Sequence, residues 1–130
     1  MKRLTVWRSV GTPSPVVWGL LTNPDRWPEW GPTVRSAELD GRRLQEGARG
    51  TVTTAGGVKL PFEVTEYSEG AFWAWNVAGL PATDHRVQED GADRCRVGFG
   101  VPWPAAAYLT VCQVALRRLE AMALDERANT

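Results

Sequence analysis

Short apolar runs, separated by Gly, Pro, Asp or Asn, make up most of this chain. The first, Arg3 to Val10 (RLTVWRSV), is rich in β-branched and aromatic residues and ends at Gly11, which predicts a strand. Between Thr33 and Val101, six further runs follow at hairpin spacing: VRSAEL, GTVTTA, VKLPFEVTEY, FWAWNVA, DHRVQE and CRVGFGV. The pattern therefore predicts an antiparallel meander of about seven strands, counting the first.

Three residues inside these runs predict local irregularities. Pro61 has no N–H group to donate to a neighbouring strand, so it indicates an edge position or a bulge. Gly98 and Gly100 indicate a bend or a close approach of another group in the last strand.

Helical spacing occurs on both sides of the meander. After the first strand, Ser14 can cap a short helix with Pro15 at its first position, and Pro24 can open a second one. After the meander, Pro104 precedes the longest helical pattern, from Ala105 to roughly Arg127. The apolar stripe of this long helix consists of Tyr108, Val111, Cys112, Ala115, Leu119 and Met122.

This order of elements predicts an α+β fold. A strongly bent antiparallel sheet of about seven strands, wrapped around the C-terminal helix, would bury the apolar stripe, with the two short helices after the first strand. The chain has 130 residues and no run long enough to be a linker, so we expect one domain over residues 1–130.

Charge and composition narrow the classes of function. The formal net charge is +0 with charges of both signs dispersed, which argues against nucleic-acid binding and against an anionic-membrane footprint. No stretch is long enough to span a bilayer, so we expect no membrane insertion and a cytoplasmic location. We expect the protein to be a monomer or homodimer.

The cysteines and the single histidine limit metal and redox chemistry. Cys95 and Cys112 lack CxxC spacing, and His85 is the only imidazole, so the ligands of a structural zinc site are missing. We expect both thiols to be reduced and no cofactor or metal to be bound.

Strand alternation predicts which side chains point inward. Neighbouring residues of a strand face opposite sides of the sheet, so the apolar set of each run should face the helix, and Arg94 and Arg96 should face away. The inward set contains Leu60, Phe62, Val64, Trp73, Trp75, Val77, Cys95, Val97, Phe99 and Val101.

The order of elements and four stretches of sequence resemble a known superfamily. The stretches are PSPVVWGLLTNPDRWPEW, LPFEVTEY, WAWNVAGLPATDHRV and LRRLEAMA. They resemble the START-like superfamily, also called SRPBCC, and more narrowly its bacterial polyketide cyclase/dehydrase-like branch. The resemblance covers almost the whole chain. It implies a helix-grip fold with a hydrophobic cavity between sheet and C-terminal helix, where members bind or transform lipids, sterols, polyketides, quinones and other aromatic compounds.

The resemblance implies no universal catalytic motif, so candidate site residues follow from the predicted inward faces. Trp27 and Trp30, in NPDRWPEWGP, form either an aromatic wall or lid of the cavity or a plug that anchors the short helices. The predicted ligand-binding residues are Trp27, Trp30, Phe62, Trp73, Trp75, Phe99, Trp103, Tyr108 and Cys112.

Two residues are candidate acid/base groups. His85 shares a face with Val87 and can act as a general acid or base if it points inward; alternatively it is a hydrogen-bonded structural residue. The preceding Asp84 faces the other side of the strand and forms no dyad with it. The Tyr108 hydroxyl can orient a polar ligand group or move a proton.

Other polar residues carry no site. We assign Glu63, Glu66 and Glu69 to the solvated surface, and the Gly56–Gly57 pair to a hairpin turn instead of a phosphate loop.

Two functions remain open from the sequence. In one, the protein binds a hydrophobic or aromatic small molecule of polyketide, lipid or quinone type. In the other, it is a polyketide cyclase/dehydrase of aromatase type that uses His85 or Tyr108. Few polar groups are predicted to point into the cavity, which places the binding role slightly ahead. An interaction module comes third, because no extended exposed apolar or charged patch is evident in the sequence.

Overall fold

A computed structural model describes residues 2–129. The strands are β1 Arg3–Val10, β2 Val34–Leu39, β3 Arg49–Thr54, β4 Lys59–Ser68, β5 Phe72–Val77, β6 Leu80–Glu89 and β7 Cys95–Pro102. The α-helices are α1 Ser14–Thr22, α2 Trp27–Trp30 and α3 Leu109–Ala128, and 3₁₀ segments cover Pro24–Arg26 and Trp103–Tyr108.

The seven strands form one antiparallel sheet in the order β1-β7-β6-β5-β4-β3-β2. This curved sheet with a long C-terminal helix and short helices after the first strand is the helix-grip architecture that the sequence predicts. The register shifts between Val34 and Ser36, between Val64 and Glu66, and between Ala74 and Asn76. Such bulges bend strands, which helps the sheet to curve around the helix.

The prediction for Pro61 was wrong. The residue lies in β4, which has β3 on one side and β5 on the other, so it is not on an edge strand. The bulge of β4 lies at Thr65, outside Pro61's pairing with Thr51. Pro61 is tolerated because it lies beyond the end of the β4–β5 pairing, whose last pair is Phe62 with Val77, so that no ladder hydrogen bond to β5 needs its missing N–H. Its carbonyl accepts a hydrogen bond from the Ala78 amide at 2.8 Å.

The long helix packs its predicted stripe against β1, β7, α1 and α2. It begins at Leu109, four residues later than predicted, because Trp103–Tyr108 forms a 3₁₀ segment with a non-helical Ala105. Arg117 and Arg118 lie off this stripe and face solvent. Within residues 2–129, no helix combines the length and the apolar character needed to cross a membrane.

The first short helix begins one residue earlier than predicted, whereas the second begins at Pro24 as predicted, with a 3₁₀ segment that leads into α2. Pro13 occupies the N-cap position of α1, so Ser14 is the first helical residue and makes no capping hydrogen bond. Trp27 and Trp30 form the two ends of α2.

Both glycines of β7 allow close approaches, as predicted. A β-carbon at Gly98 would lie 2.8 Å from ring carbons of Trp7, and one at Gly100 would lie 2.6 Å from the Asp84 carboxylate. Asp84 is buried on this outer face of the sheet, where it forms an ion pair with Arg3.

Candidate ligand-binding site

A cavity of about 400 Å³ lies between the concave face of the sheet, α2 and the first half of α3. Alternate residues of β3 to β7 supply its floor, because period-two alternation points one set of side chains toward the helix. Val111, Cys112 and Ala115 of α3 form its roof. Its volume falls in the range typical of small-molecule sites.

Aromatic rings form one wall of the cavity. Trp27 stacks on Trp73 with ring centroids 5.3 Å apart and an angle of 14° between the planes. Trp75 meets Trp27 edge-on at 5.2 Å, and His85 stacks on the other side of Trp73 at 3.9 Å. The sequence alone could not pair these residues, because they come from α2, β5 and β6.

Trp27 and Trp30 also anchor α2 to the first helix. The indole N–H of Trp27 donates to the Leu21 carbonyl at 2.9 Å, and that of Trp30 donates to the Leu20 carbonyl at 3.1 Å. These carbonyls lie in the last turn of α1, where backbone acceptors lack helical partners. The anchoring role and the lining role, posed as alternatives from the sequence, are therefore compatible, since both rings also line the cavity.

His85 points inward, which the sequence left open, and both of its ring nitrogens have partners. Nδ1 lies 3.2 Å from the Trp73 carbonyl, which can only accept, so Nδ1 carries the proton. Nε2 therefore accepts from the Thr83 hydroxyl at 3.0 Å, and that hydroxyl accepts from the Trp75 indole at 3.0 Å.

Burial keeps His85 neutral. The pKa of His85 is lowered to about 3, mainly by loss of hydration; the hydrogen bond with the Trp73 backbone opposes this shift, and the Arg3 charge adds to it. An imidazole of this pKa, with Nε2 already occupied, is a poor proton carrier near neutral pH.

Tyr108 lies at the rim of the cavity, where the 3₁₀ segment Trp103–Tyr108 meets α3. Its hydroxyl is 2.6 Å from the Thr33 hydroxyl, so a hydrogen bond joins the loop after α2 to the start of α3. Burial raises the pKa of Tyr108, and burial raises the pKa of the Cys112 thiol to about 11. Both groups are thus neutral at physiological pH.

The structure places two of the predicted residues away from the cavity. Phe62 is buried but lies behind Trp27 and Trp75, with ring centroids 5.7 and 5.4 Å away, and is not among the lining residues. Trp103 is 60 % exposed and does not line the cavity. It follows β7, whose last residue, Pro102, does line the cavity. The other predicted residues all line it.

Polar residues that the sequence did not single out also line the cavity. They are Thr33, Thr54 and Thr83. For Thr83, the sequence offers one indication: it lies two residues before His85 in β6 and therefore faces the same side of the sheet. This indication was too weak to identify Thr83 as a lining residue, because hydroxyl residues are common on both faces of strands.

One polar atom of the aromatic wall has no partner. The indole N–H of Trp73 is buried without a hydrogen bond from or to any described residue. A buried donor without an acceptor costs free energy, so an acceptor from a bound molecule would be favourable here.

The remaining predictions about polar residues hold with one refinement. Cys95 and Cys112 are both free and buried. Glu69 is exposed, as predicted, but it accepts from the Trp18 indole at 2.7 Å and from the Tyr67 hydroxyl at 3.0 Å. These hydrogen bonds lower the pKa of Glu69 and lie far from the cavity lining.

Solved structures with the same fold share little sequence with this chain. XoxI from Bacillus cereus is 16% identical with a TM-score of 0.73, over 98% of this chain and 99% of that one. The di-domain ARO/CYC BexL from the BE-7585A biosynthetic pathway is 15% identical with a TM-score of 0.70, over 93% of this chain and 46% of BexL. A point mutant of norcoclaurine synthase from Thalictrum flavum is 11% identical with a TM-score of 0.65, over 97% and 96%.

At such identities these likenesses show the fold alone. No curated protein matches the chain. The family model described as polyketide cyclase / dehydrase and lipid transport matches residues 1–125, which confirms the resemblance found in the sequence. The chain therefore belongs to the polyketide cyclase/dehydrase and lipid transport family.

Proposed function

We propose that the protein binds a neutral, hydrophobic small molecule with an aromatic ring and a hydrogen-bond acceptor. The observation that carries the proposal is the chemistry of the cavity wall. Among the described residues, no Asp, Glu, Lys or Arg lines the cavity, and its one histidine is held neutral by burial. A charged ligand would lose its hydration without gaining a counter-charge, which is costly.

The aromatic wall supports a ligand with a ring. Trp27, Trp73 and Trp75 present both faces and edges, and aromatic pairs gain about 0.5–1.5 kcal/mol beyond the burial of their area. The partnerless Trp73 N–H supports an acceptor, such as a carbonyl or ether oxygen, on that ligand.

A matched pair of probes tests this selectivity. We expect methyl 2-naphthoate, which is neutral, to bind at least about 100-fold more tightly than 2-naphthoate, because burying a carboxylate without a partner costs several kcal/mol. Isothermal titration calorimetry with each probe measures the two affinities.

Two variants of α3 show whether binding occurs in the cavity. Ala115→Phe adds a ring at a lining position and should weaken binding of the ester at least about tenfold by filling the space. Ala121→Phe adds the same ring on the exposed face of the helix and should leave the affinity unchanged. Equal affinity for ester and acid, or equal loss in both variants, would contradict the proposal.

A cyclase/dehydrase role is the second candidate, and the Tyr108 hydroxyl at the rim favours it. It is a phenolic hydroxyl on a residue that lines the cavity, and a positioned hydroxyl can move a proton during ring closure or dehydration. The paired state and low pKa of His85 count against a role for that residue. Recovery of a bound poly-β-ketone unchanged after prolonged incubation would support binding alone, and recovery of an aromatised product would support the enzyme.

The two free, buried thiols support a cytoplasmic site of action, since reducing compartments preserve such cysteines.

A further inference from the structure

Three exposed apolar side chains lie at the end of the sheet where the cavity reaches the surface. They are Val58, Leu80 and Trp103, which are 57 %, 68 % and 60 % exposed. The antiparallel register places all three at the same end of the sheet. Arg3 pairs with Pro102, Leu80 pairs with Val77, and Val34 pairs with Thr54, so the start or end of every strand here lies at one edge.

We call this edge the mouth end, because cavity-lining residues lie within it. It comprises residues 2–5, 31–36, 54–60, 76–84 and 100–108. Leu60, Pro81 and Pro102 line the cavity and lie within two residues of Val58, Leu80 and Trp103 in the chain. Leu80 also shares a face with Val77, its cross-strand partner and a lining residue. The exposed apolar side chains thus continue the cavity's apolar surface outward.

The exposed segment Trp103–Tyr108 enlarges this apolar rim. Its sequence WPAAAY contains no charged residue, and all six residues are exposed. The helix α3 begins only after it, so the segment projects an indole and three alanines beside the cavity. An apolar, ring-bearing surface at the edge of a folded unit is typical of contact with a lipid interface.

Charge at the mouth end has one sign. Lys2, Arg35 and Lys59 are exposed there, and Arg3 neutralises Asp84, the one acidic residue in these segments. Acidic residues collect in the loops at the other end of the sheet. Those loops contain Asp40, Glu46, Glu69, Asp90 and Asp93 together with Arg42, Arg43 and Arg94, so acidic residues outnumber basic ones there. The zero net charge therefore conceals a separation of charge along the strands.

We propose that the mouth end docks on the surface of an anionic phospholipid bilayer, with Trp103, Leu80 and Val58 among the headgroups and acyl-chain ends. Charge complementarity selects this occupant, because Lys2, Arg35 and Lys59 surround the apolar rim and no exposed acid opposes the lipid phosphates. Docked in this way, the cavity opens toward the bilayer, from which an apolar ligand can pass without crossing water. The docking itself does not depend on the proposed ligand.

Vesicle binding of the full chain tests the docking surface. We expect the protein to sediment with vesicles of equimolar phosphatidylcholine and phosphatidylglycerol, and to bind vesicles of phosphatidylcholine alone at least about fivefold more weakly. Brominated acyl chains should quench Trp103, so the quenching should decrease in Trp103→Phe. No ligand is added, so failure here leaves the calorimetric test of the cavity intact.

Variants at the two ends of the sheet locate the contact. Lys59→Glu should weaken binding by about fivefold or more, and Trp103→Ser by about tenfold, through lost attraction and lost apolar burial. The matched controls are Arg42→Glu, an exposed cation in the β2–β3 loop, and Leu124→Ser, a 45 % exposed leucine of α3. Both controls should bind like the parent protein.

Three results would overturn the proposal. The first is no sedimentation with anionic vesicles by a protein whose circular dichroism shows it to be folded. The second is equal weakening in the mouth-end variants and the controls. The third is self-association without lipid, seen by light scattering and abolished by Trp103→Ser, which would make this face a contact between two copies of the chain.

Discussion

The side chain of His85 shows how a single residue can be placed for chemistry and yet be prevented from performing it. It lies in the cavity wall, but Thr83 occupies Nε2 and the Trp73 carbonyl occupies Nδ1. Burial holds the imidazole neutral, and the two hydrogen bonds and the stacked Trp73 ring hold it in place. We infer that His85 shapes the cavity and orders the aromatic wall.

The low pKa of His85 predicts a pH dependence of stability. In the unfolded chain the imidazole titrates near 6.5, whereas in the folded protein its pKa is about 3. Between these values the unfolded state binds the extra proton, so stability falls as pH decreases. We expect a loss of about 1.4 kcal/mol in the free energy of unfolding per pH unit below about pH 6.

Urea unfolding at about pH 6.5 and at about pH 5 measures this change in the free energy of unfolding. We choose this pH range because few carboxylates titrate within it. The variant His85→Gln keeps a polar side chain but cannot titrate, so its stability should change less over the same window. An identical slope in both proteins would show that His85 is not the source.

At the scale of elements, packing of β3 against its neighbours depends on a residue without a side chain. Gly50 is buried between β2 and β4. A β-carbon there would collide with the Glu38 backbone carbonyl and lie 2.7 Å from the buried Phe62 ring. Neither the backbone of β2 nor Phe62, which is packed against Trp27, has space to move away.

We therefore expect Gly50→Ala to lower the free energy of unfolding by about 3 kcal/mol, at the upper end of overpacking effects. Gly19→Ala is the control. Gly19 is exposed in α1 with no atom near its missing β-carbon, so alanine should stabilise the protein by about 0.5–1 kcal/mol. Chemical denaturation of both variants measures the two changes, and equal effects would contradict this account.

At the scale of the whole molecule, the sheet separates charge without changing the net charge. Antiparallel pairing brings the loops to two ends, with Lys2, Arg35 and Lys59 at the mouth end and most acidic loop residues at the other. A molecule with such a distribution approaches an anionic surface in one orientation.

This separation predicts a strong salt dependence of vesicle binding. Raising NaCl from about 0.02 M to about 0.2 M shortens the Debye length severalfold, so affinity for phosphatidylglycerol-containing vesicles should fall at least about tenfold. Lys59→Glu should show a shallower dependence, because fewer attractive charges remain. Sedimentation across the salt series measures both slopes, and a salt-independent affinity would contradict electrostatic docking.

The sequence by itself determined the elements and the inward faces. Period-two alternation placed Trp73, Trp75 and Phe99 inside, because alternation is a local property of a strand, but it left the direction of His85 open. It also placed the stripe of α3, apart from the first turns, where 3₁₀ geometry replaced the expected helix.

Only the tertiary structure decided which residues meet. The contacts of Trp73 with Trp27 and His85, the pairing of Thr83 with His85, and the exposure of Trp103 depend on distant segments. The dispersed charges of the sequence argued against a membrane footprint, whereas antiparallel pairing brings the cations of three separate segments to one end. The alternation of residues along a strand decides which side of the sheet a side chain faces. Which side chains it contacts depends on the pairing and packing of segments that are distant in sequence, and a binding surface consists of such contacts.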